Sequence, residues 1–412
     1  MEKQIGLLVM KKAMIIESWI NGVINGQEAA ERLEVSYRQA KRLRKVFLKQ
    51  GAPGLTHKNK NKSPANKIKK EITEKVINVF LEWKRRTDDG LNASHLSDIL
   101  LRDHLLKISR ISCWRILKSN GLQIKTRKVR KYRKRRERRD QEGDILYLDG
   151  SPHRWFGEKH PKATLILCTD DATSKALWAI FTEEENRNAC FEVAYEVMTR
   201  FGIPMSFWLD RASQFITTRG EGLVNRQTPQ PTHWQNAMYN LGVTNIFAHS
   251  PQARGRGERA NGTFQDRLCS ELQYRGISDL KEATKFMNEE FIPQYNQKFS
   301  VEPRNPQALW RKPPEGINLK NVLCARTDRR VQNDNTVKHN SRRFQLLRNP
   351  GQRTWAGMII EAQDWFDGSV RLVSKNFTEI PYQELKTEPR YKKIEGHKTN
   401  TIISDIHRST YF

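Results

Sequence analysis

The sequence predicts an α/β protein in which a central layer of strands and helices lies between helical N-terminal domains and a small C-terminal β domain. Three patterns indicate this organisation. Apolar residues recur at helical spacing through much of residues 5–121, short apolar strands alternate with helical segments over about 143–310, and short strand patterns follow residue 320. A chain of 412 residues is too long for one ordinary core, so two to four domains are expected.

The charge distribution indicates a polyanionic partner. Residues 1–140 contain 36 Lys and Arg against 14 Asp and Glu, so +22 of the formal +27 lies in the first third of the chain. Such asymmetry is typical of proteins that bind nucleic acid or an anionic membrane surface. A merely soluble basic protein is the alternative, and the clustering of the charge disfavours it.

Several sequence features favour a cytoplasmic location without a membrane partner. No stretch approaches the roughly 18–20 consecutive apolar residues that a membrane span needs. The N-terminal helical pattern contains lysines, unlike a signal peptide. The five cysteines are scattered without a Cys-x-x-Cys pair, which fits a reducing compartment and predicts neither a disulfide framework nor a zinc module.

Residues 1–55 are predicted to form a helix-turn-helix domain. Asn25-Gly26 ends a first helical run, a short helix follows, and Ser36 caps a second helix rich in Arg and Lys. An ordinary amphipathic helix pair is the alternative, but the charge is concentrated on the second helix, which favours DNA binding. The candidate base contacts on that helix are Arg38, Gln39 and Arg42.

A second helical domain, either helix-turn-helix or winged-helix-like, is predicted over residues 66–122. Its positive charge is weaker, so it is expected to serve packing as well as binding. Residues 123–140 form a basic linker arm, in which residues 124–139 contain eleven basic side chains in sixteen. Self-repulsion would prevent such a run from packing, so we expect a phosphate-binding arm that becomes ordered on DNA, with a targeting signal as the alternative. Its candidate DNA contacts are Arg127, Arg130, Arg133, Arg135 and Arg136.

The central domain is predicted over residues 141–315. Its expected strands lie at 144–149, 163–169, 175–182 and 244–248, with a further strand that ends at Asp210. Its expected helices lie at about 187–201, 232–241 and 256–274. A meander of three strands followed by strands that alternate with helices describes an α/β layer built like ribonuclease H.

Three carboxylates in this domain are candidate catalytic and metal-binding residues. Asp149 and Asp210 each follow an apolar strand, and Glu258 begins the long helix. In a ribonuclease-H-like layer they would converge, as two magnesium or manganese ions about 3.5–4 Å apart require. Each carboxylate alone is more simply a turn cap or half of a surface ion pair, but the three together in this order favour a catalytic site. Asp170 and Asp171 are excluded because the residues after them predict a hairpin turn.

The motifs around these carboxylates resemble those of integrase-core transposases of bacterial insertion sequences, which are similar to retroviral integrases, with the ISNCY group closest. The resemblance rests on Leu148–Phe156, Leu209–Phe215 and, most specifically, Ser250–Thr263. Two features depart from the family pattern. The spacing between Asp210 and Glu258 is longer than in retroviral integrases, which indicates an inserted loop at 217–233, and Ala212 stands where a glycine is common.

The resemblance implies a ribonuclease-H-like core whose catalytic and metal-binding residues are Asp149, Asp210 and Glu258, with helix-turn-helix domains that bind element ends. The implied activity is that of a DDE transposase, with metal-dependent 3′-end cleavage and strand transfer into target DNA. Because two ends are joined at once, a homodimer or higher oligomer on DNA is expected in the nucleoid. The alternatives are a non-catalytic DNA-binding regulator and a nuclease that cuts RNA in hybrids.

Further side chains next to the third motif are candidates for phosphate contacts, because guanidinium groups pair well with phosphate oxygens. These are Arg254, Arg256 and Arg259. Trp155 and Phe156, close to Asp149, are expected to pack in the core rather than stack on bases.

The C-terminal region is predicted to contain a small β-barrel over residues 320–388, followed by a polar, flexible tail over 389–412. The expected strands lie at 327–333, 336–339, 342–347, 358–362 and 369–373.

Overall fold

The structure is a computed structural model that describes residues 2–56, 67–124, 137–217, 230–247, 255, 257–348, 351, 353–376 and 378–385. The chain divides into two compact units, Met1–Lys75 and Val76–Phe412. The domain boundaries inferred from the sequence stay predictions. Across the described ranges, no helix is both long enough and apolar enough to cross a membrane. All five cysteines are buried and free.

The first unit contains α1 (Glu2–Ile20), α2 (Gly26–Arg32) and α3 (Tyr37–Gly54). Asn25 caps α2 in a capping box with Glu28, and Ser36 caps α3 by accepting a hydrogen bond from the backbone N–H of Gln39. Glu34, in the turn between α2 and α3, adopts a left-handed conformation with φ of 53°. The short helix, the capped turn and the basic helix are therefore present, and their binding to DNA stays a prediction.

Three helices precede the α/β layer. They are α4 (Lys70–Arg86), which crosses the boundary between the two units, α5 (Ala93–His104) and α6 (Arg110–Ser119). Asn92 and Ser109 cap α5 and α6 through their side-chain oxygens. Most of the second predicted helical domain thus belongs to the same compact unit as the α/β layer.

A five-stranded sheet lies at the centre of the second unit. Its strands are β1 (Ile145–His153), β2 (Ala163–Asp170), β3 (Ala176–Thr182), β4 (Ser206–Leu209) and β5 (Thr244–Phe247). Their spatial order is β3-β2-β1-β4-β5. The first three form an antiparallel meander, whereas β4 runs parallel to β1 and β5 parallel to β4.

Helices cover both faces of this sheet. They are α7 (Arg187–Arg200) and α8 (His233–Asn240) on one face, and α9 (Gly257–Arg275), α10 (Leu280–Phe286), a π-helical turn (Met287–Phe291) and α11 (Ile292–Phe299) on the other. Side-chain alternation along the strands supplies both cores: Leu146 and Leu148 of β1 pack under α7 and α8, whereas Leu165 and Leu167 of β2 pack under α9. The predicted α/β layer is confirmed.

The outer edge of the sheet at β3 is covered by side-chain amides. Asn288 accepts a hydrogen bond from the Ala179 N–H at 3.1 Å and donates one to the Ala179 carbonyl at 2.7 Å. Asn296 makes the same pair of bonds with Ala176, both at 2.8 Å. Because these amides already form hydrogen bonds with backbone N–H and C=O groups at the edge of β3, a further strand cannot pair with those groups.

The C-terminal region begins with α12 (Leu319–Val322) and continues as six strands. They are β6 (Ala325–Arg330), β7 (Thr336–His339), β8 (Arg342–Leu346), β9 (Ile359–Asp364), β10 (Val370–Val373) and β11 (Tyr382–Leu385). They form two three-stranded sheets, of order β10-β9-β6 and β11-β8-β7, that share one apolar core. Strand β11 was not expected from the sequence. No strand ladder joins the two sheets among the described residues, so closure into a barrel stays a prediction.

Candidate active site

The register between β1 and β4 aligns the segments that lead into Asp149 and Asp210. Tyr147 of β1 pairs with Trp208 of the parallel β4. Asp149 comes two residues after Tyr147 within β1, and Asp210 comes two residues after Trp208, as the first residue after β4. Neighbouring strands lie about 4.8 Å apart, so the two carboxylates leave adjacent backbones at the same level. That the two carboxylates meet in one site stays a prediction.

The first turn of α9 lies against β1 beside Asp149. A Cβ atom added to Gly257 would lie 3.8 Å from Cβ of Tyr147 and 3.9 Å from Oδ2 of Asp149. Glu258 follows Gly257 directly and is exposed. The helix that carries the third predicted carboxylate therefore begins at the first one. Within the described ranges, no group of three or more His, Cys, Asp or Glu side chains is arranged to hold a metal ion, so convergence of all three carboxylates stays a prediction.

Asn261 is a site residue that the sequence reasoning missed. It lies one helical turn after Glu258, and its Nδ2 donates a hydrogen bond of 2.9 Å to Oδ2 of Asp149. The side chain is buried, and its Oδ1 has no hydrogen-bond partner among the described residues. Its position three residues after Glu258 on one helical face is the signal that could have identified it.

Asp210 is fixed by its own loop. Its Oδ1 accepts a hydrogen bond of 3.0 Å from the backbone N–H of Ala212. Ala212 is not among the residues with positive φ, so the alanine that replaces the family's glycine causes no backbone strain there.

Glu185 is a fourth carboxylate close to this pair. A Cβ atom at Gly150 would lie 2.0 Å from Oε2 of Glu185, so the carboxylate lies over the backbone next to Asp149. Nε2 of Gln214, in the loop after Asp210, donates a hydrogen bond of 2.6 Å to Oε1 of Glu185. Burial, together with the charges of Glu185 and Asp210, raises the pKa of the Cys190 thiol well above its usual value. No sequence signal marks Glu185, which ends a run of three glutamates typical of a solvated loop.

Asp170 and Asp171 have the structural role that the sequence predicted. Oδ2 of Asp170 accepts hydrogen bonds of 2.7 Å from both the backbone N–H and the hydroxyl of Thr173. Asp171 accepts a hydrogen bond of 2.9 Å from the hydroxyl of Tyr147. Trp155 is likewise structural, because it is fully buried and its Nε1 donates to the carbonyl of Ser151.

The candidate DNA contacts are only partly described. Arg38, Gln39 and Arg42 are exposed on α3. Arg259 is exposed in the first turn of α9, where its Nε donates a hydrogen bond of 2.9 Å to the carbonyl of Gly255. The candidates that lie outside the described residues are Arg127, Arg130, Arg133, Arg135, Arg136, Arg254 and Arg256.

Comparison of the sequence with known proteins finds transposases. The chain is 27% identical over 408 residues to "Putative transposase y4bF" of Sinorhizobium fredii (strain NBRC 101917 / NGR234), covering 96% of this chain and 86% of that protein. It is 25% identical over 457 residues to "Transposase for insertion sequence IS1202" of Streptococcus pneumoniae, covering 97% and 95%. The chain is therefore similar over nearly its whole length to two transposases. No protein-family model matches the chain.

Among solved structures the likeness is remote. The HTLV-2 integrase catalytic core domain in complex with magnesium is 15% identical with a TM-score of 0.28, covering 37% of this chain and 90% of that one. The simian T-cell lymphotropic virus intasome in complex with the PP2A regulatory subunit B56 gamma is 14% identical with a TM-score of 0.32, covering 69% and 97%.

Proposed function

We propose that this chain is a DNA transposase of the insertion-sequence type, with Asp149, Asp210 and Glu258 as its catalytic carboxylates. The observation that carries the proposal is the pairing of Tyr147 with Trp208, two residues before Asp149 and Asp210, together with the first turn of α9 beside Asp149. The two transposases to which nearly the whole chain is similar support it. The motifs around the carboxylates favour the ISNCY group within this class.

The donor atoms around Asp149 fit magnesium or manganese. Such cations prefer about six oxygen ligands, mainly from carboxylates, water and phosphate. We expect Asp149 on β1 and Asp210 after β4 to offer carboxylate oxygens, and Glu258 on α9 to add a third when a cation binds. Beside them, Oδ1 of Asn261 is a buried amide oxygen without a hydrogen-bond partner among the described residues. Such an oxygen could accept a hydrogen bond from a water molecule bound to the cation. We propose that the three carboxylates hold two ions.

The proposed reaction has two steps. Water attacks the phosphodiester at each element end and releases a 3′-hydroxyl, and that hydroxyl then attacks a phosphodiester of target DNA while the target 3′-oxygen leaves. One phosphodiester bond breaks as another forms in the second step, so no external energy source is needed. When bound, the metal ions polarise the phosphate and acidify the attacking oxygen. The protein orients the carboxylates, with Asn261 holding Asp149 through Oδ2.

The proposed partners are the element ends and target DNA. Arg38, Gln39 and Arg42 on α3 would contact bases in the major groove, and the basic arm over 123–140 would contact phosphates. Because both ends must be joined, the active form is a dimer or higher oligomer on DNA, associated with the nucleoid.

The first prediction tests the catalytic carboxylates. Asp149→Asn and Glu258→Gln should each reduce cleavage and strand transfer to background while binding to element ends stays within about twofold of wild type, because each change removes a metal ligand and little volume. The substrate is duplex DNA with the inverted repeats that flank the coding region, assayed with Mg²⁺ or Mn²⁺. Asp266→Asn, a matched change two turns further along α9, should retain activity.

The outcomes separate this proposal from its alternative. Joining of DNA ends by Asp149→Asn would show that Asp149 is not catalytic. A wild-type protein that binds the repeats but never cleaves with either metal would be a DNA-binding regulator instead.

A further inference from the structure

A cavity of about 290 Å³ opens next to the loop that follows Asp210. Its lining residues are Arg187, Ser213, Gln214, Pro231, Thr232 and His233. Arg187 is the first residue of α7, and His233 is the first residue of α8. The cavity is lined by hydrogen-bonding groups and contains no carboxylate among its described lining residues.

Arg187 lacks a hydrogen-bond acceptor for one of its donors. Its Nε is shielded from solvent and has no partner in the described part of the chain. The nearby carboxylate of Asp364 attracts it electrostatically, but the two oxygens of Asp364 are bonded to His339 at 2.7 Å and Asn340 at 3.0 Å. Burial lowers the pKa of Arg187, yet a guanidinium remains charged at neutral pH. A half-buried cation with an unsatisfied donor destabilises the fold unless an anion accepts a hydrogen bond from that donor.

His233 adds a second donor. Its Nδ1 accepts a hydrogen bond of 3.3 Å from the backbone N–H of Arg326, so the neutral ring carries its proton on Nε2. Burial and the charge of Arg187 lower the pKa of His233, which keeps the ring neutral at pH 7. The cavity therefore combines a guanidinium, an imidazole N–H and the hydroxyl of Ser213, a set of donors that suits an anion with several oxygens.

We propose that this cavity binds a phosphodiester group of the DNA strand held at Asp149 and Asp210, a few nucleotides from the bond that is cut. This inference rests on the proposed function, which supplies DNA as the polyanion. Gln214 links the two sites, because it lines the cavity and its Nε2 donates to Glu185 beside Asp149. The planar guanidinium of Arg187 suits two oxygens of one phosphate.

The test combines a protein variant with neutral phosphates at defined positions. Element-end duplexes carry one methylphosphonate linkage each, scanned across about ten positions around the cleavage site, and their affinities for full-length protein are measured by fluorescence anisotropy. Arg187→Gln should weaken binding of unmodified DNA about tenfold, and one methylphosphonate position should weaken wild type equally. Arg187→Gln combined with that methylphosphonate should weaken binding no more than either change alone, because both changes remove the same interaction. The log–log salt slope should also fall by about 0.9.

Control variants separate phosphate binding from a folding defect. Arg200→Gln removes a cation at the opposite end of α7 and should leave both affinity and salt slope unchanged. Arg187→Lys keeps the charge and should keep part of the affinity. The melting temperature of Arg187→Gln should not fall below that of wild type, because the free protein leaves the Nε donor of Arg187 unsatisfied among the described residues.

Each outcome decides between the two proposals. Additive losses at every position, or wild-type affinity for Arg187→Gln, would overturn the phosphate site even in an active transposase. A protein that never cleaves DNA but loses affinity at one phosphate in an Arg187-dependent way would retain this site and lose the proposed catalysis. A wild-type chain that binds no DNA would overturn both.

Discussion

At the scale of single residues, Asp149 is held by a neighbour distant in sequence, whereas Asp210 is held by the backbone N–H of Ala212 in its own loop. Asn261 bonds Asp149, and Glu185 lies over Gly150 while bonded to Gln214 from the Asp210 loop. Such interactions fix the rotamers of the two aspartates, and groups of this kind commonly change metal affinity or activity by about 10- to 100-fold. The geometry of the carboxylates therefore depends on side chains from α9 and from the loop before α7.

The second prediction concerns Asn261. Asn261→Leu keeps the side-chain volume but removes the hydrogen bond to Asp149, so strand transfer should fall about 10- to 100-fold and half-maximal activity should need more Mg²⁺. A metal titration of strand transfer measures both effects. Gln265→Leu is the matched control, since Gln265 lies one turn further along α9 and bonds Ser151 at 2.9 Å. Equal metal titrations for wild type and Asn261→Leu would make Asn261 a packing residue only.

The limits of sequence reasoning are clearest at these positions. The sequence singles out Asp149 and Asp210 because each comes at the end of an apolar run, which is a local pattern. It does not single out Asn261 and Glu185, because their role depends on how a helix and a loop dock on the sheet. Ala212 shows the intermediate case, because the sequence marks it as standing where a glycine is common and only the structure shows that its φ is not positive.

At the scale of elements, α9 connects the candidate site to the helices that precede the sheet. Its first turn lies at Asp149, and its last turns contact α4 and α5. The Tyr274 ring stacks on Trp83 with centroids 3.9 Å apart, and Glu271 bonds Nε2 of His95 at 3.0 Å. The position of Glu258 therefore depends on packing more than two turns away along the same helix.

The packing of α9 against α5 lowers the pKa values of both His95 and Glu271. Burial lowers the pKa of His95, whose Nδ1 is buried without a partner among the described residues, so the ring is neutral and donates from Nε2. Burial alone would raise the pKa of Glu271, but His95 and Arg102 more than offset it and lower the pKa to about 2. Both groups bind protons more weakly in the folded chain than in the unfolded chain. The stability that each group contributes is fully present above the pKa that the group has in the unfolded chain. It is lost on acidification, below pH 6.5 for His95 and between pH 4.5 and 2 for Glu271.

The third prediction follows from the lowered pKa of Glu271. Glu271→Gln should lower the free energy of unfolding by about 2–3 kcal/mol at pH 7, less than the roughly 3–5 kcal/mol for a fully buried pair because Arg102 keeps 30% of its side chain exposed. Urea unfolding from pH 7 to 3 should show the deficit narrowing below pH 4.5 as the wild-type carboxylate loses its advantage. Glu290→Gln, at a more exposed ion pair with Arg275, should cost under about 1 kcal/mol at every pH. A deficit for Glu271→Gln that stays constant down to pH 3 would contradict the assignment.

Element boundaries were harder to predict than element order. The sequence predicted the first strand over 144–149, which precedes Gly150 and Pro152, two residues of types that strands disfavour. In the structure β1 continues to His153, since Ser151 and Pro152 pair with Leu165 and Thr164 of β2. Tertiary pairing thus overrides local propensity, and it leaves Asp149 within a strand instead of in a turn.

At the scale of the whole molecule, the basic charge is concentrated before the candidate site. With +22 of the +27 in residues 1–140, we expect the N-terminal third to supply most of the attraction to DNA and the α/β layer to supply the proposed chemistry. Long-range attraction of this kind depends on total charge and ionic strength and little on base sequence. Sequence composition alone predicts it, because it requires no particular side-chain arrangement.

The fourth prediction concerns the arm over residues 123–140. Replacing Arg127, Arg130 and Arg133 with Gln should weaken binding to element ends and to unrelated duplexes by the same factor, because phosphate contacts carry no base information. The slope of log affinity against log salt should fall by about 0.9 for each phosphate that the arm no longer neutralises, measured by anisotropy between roughly 50 and 200 mM salt.

A matched control replaces three exposed cations of the C-terminal region, Lys338, Arg348 and Lys375, which lowers the net charge equally. If both triple variants changed the slope alike, net charge and not the arm would set the affinity. If the arm variant bound element ends more weakly but unrelated duplexes as well as wild type, the arm would read sequence, since a phosphate contact affects every duplex alike.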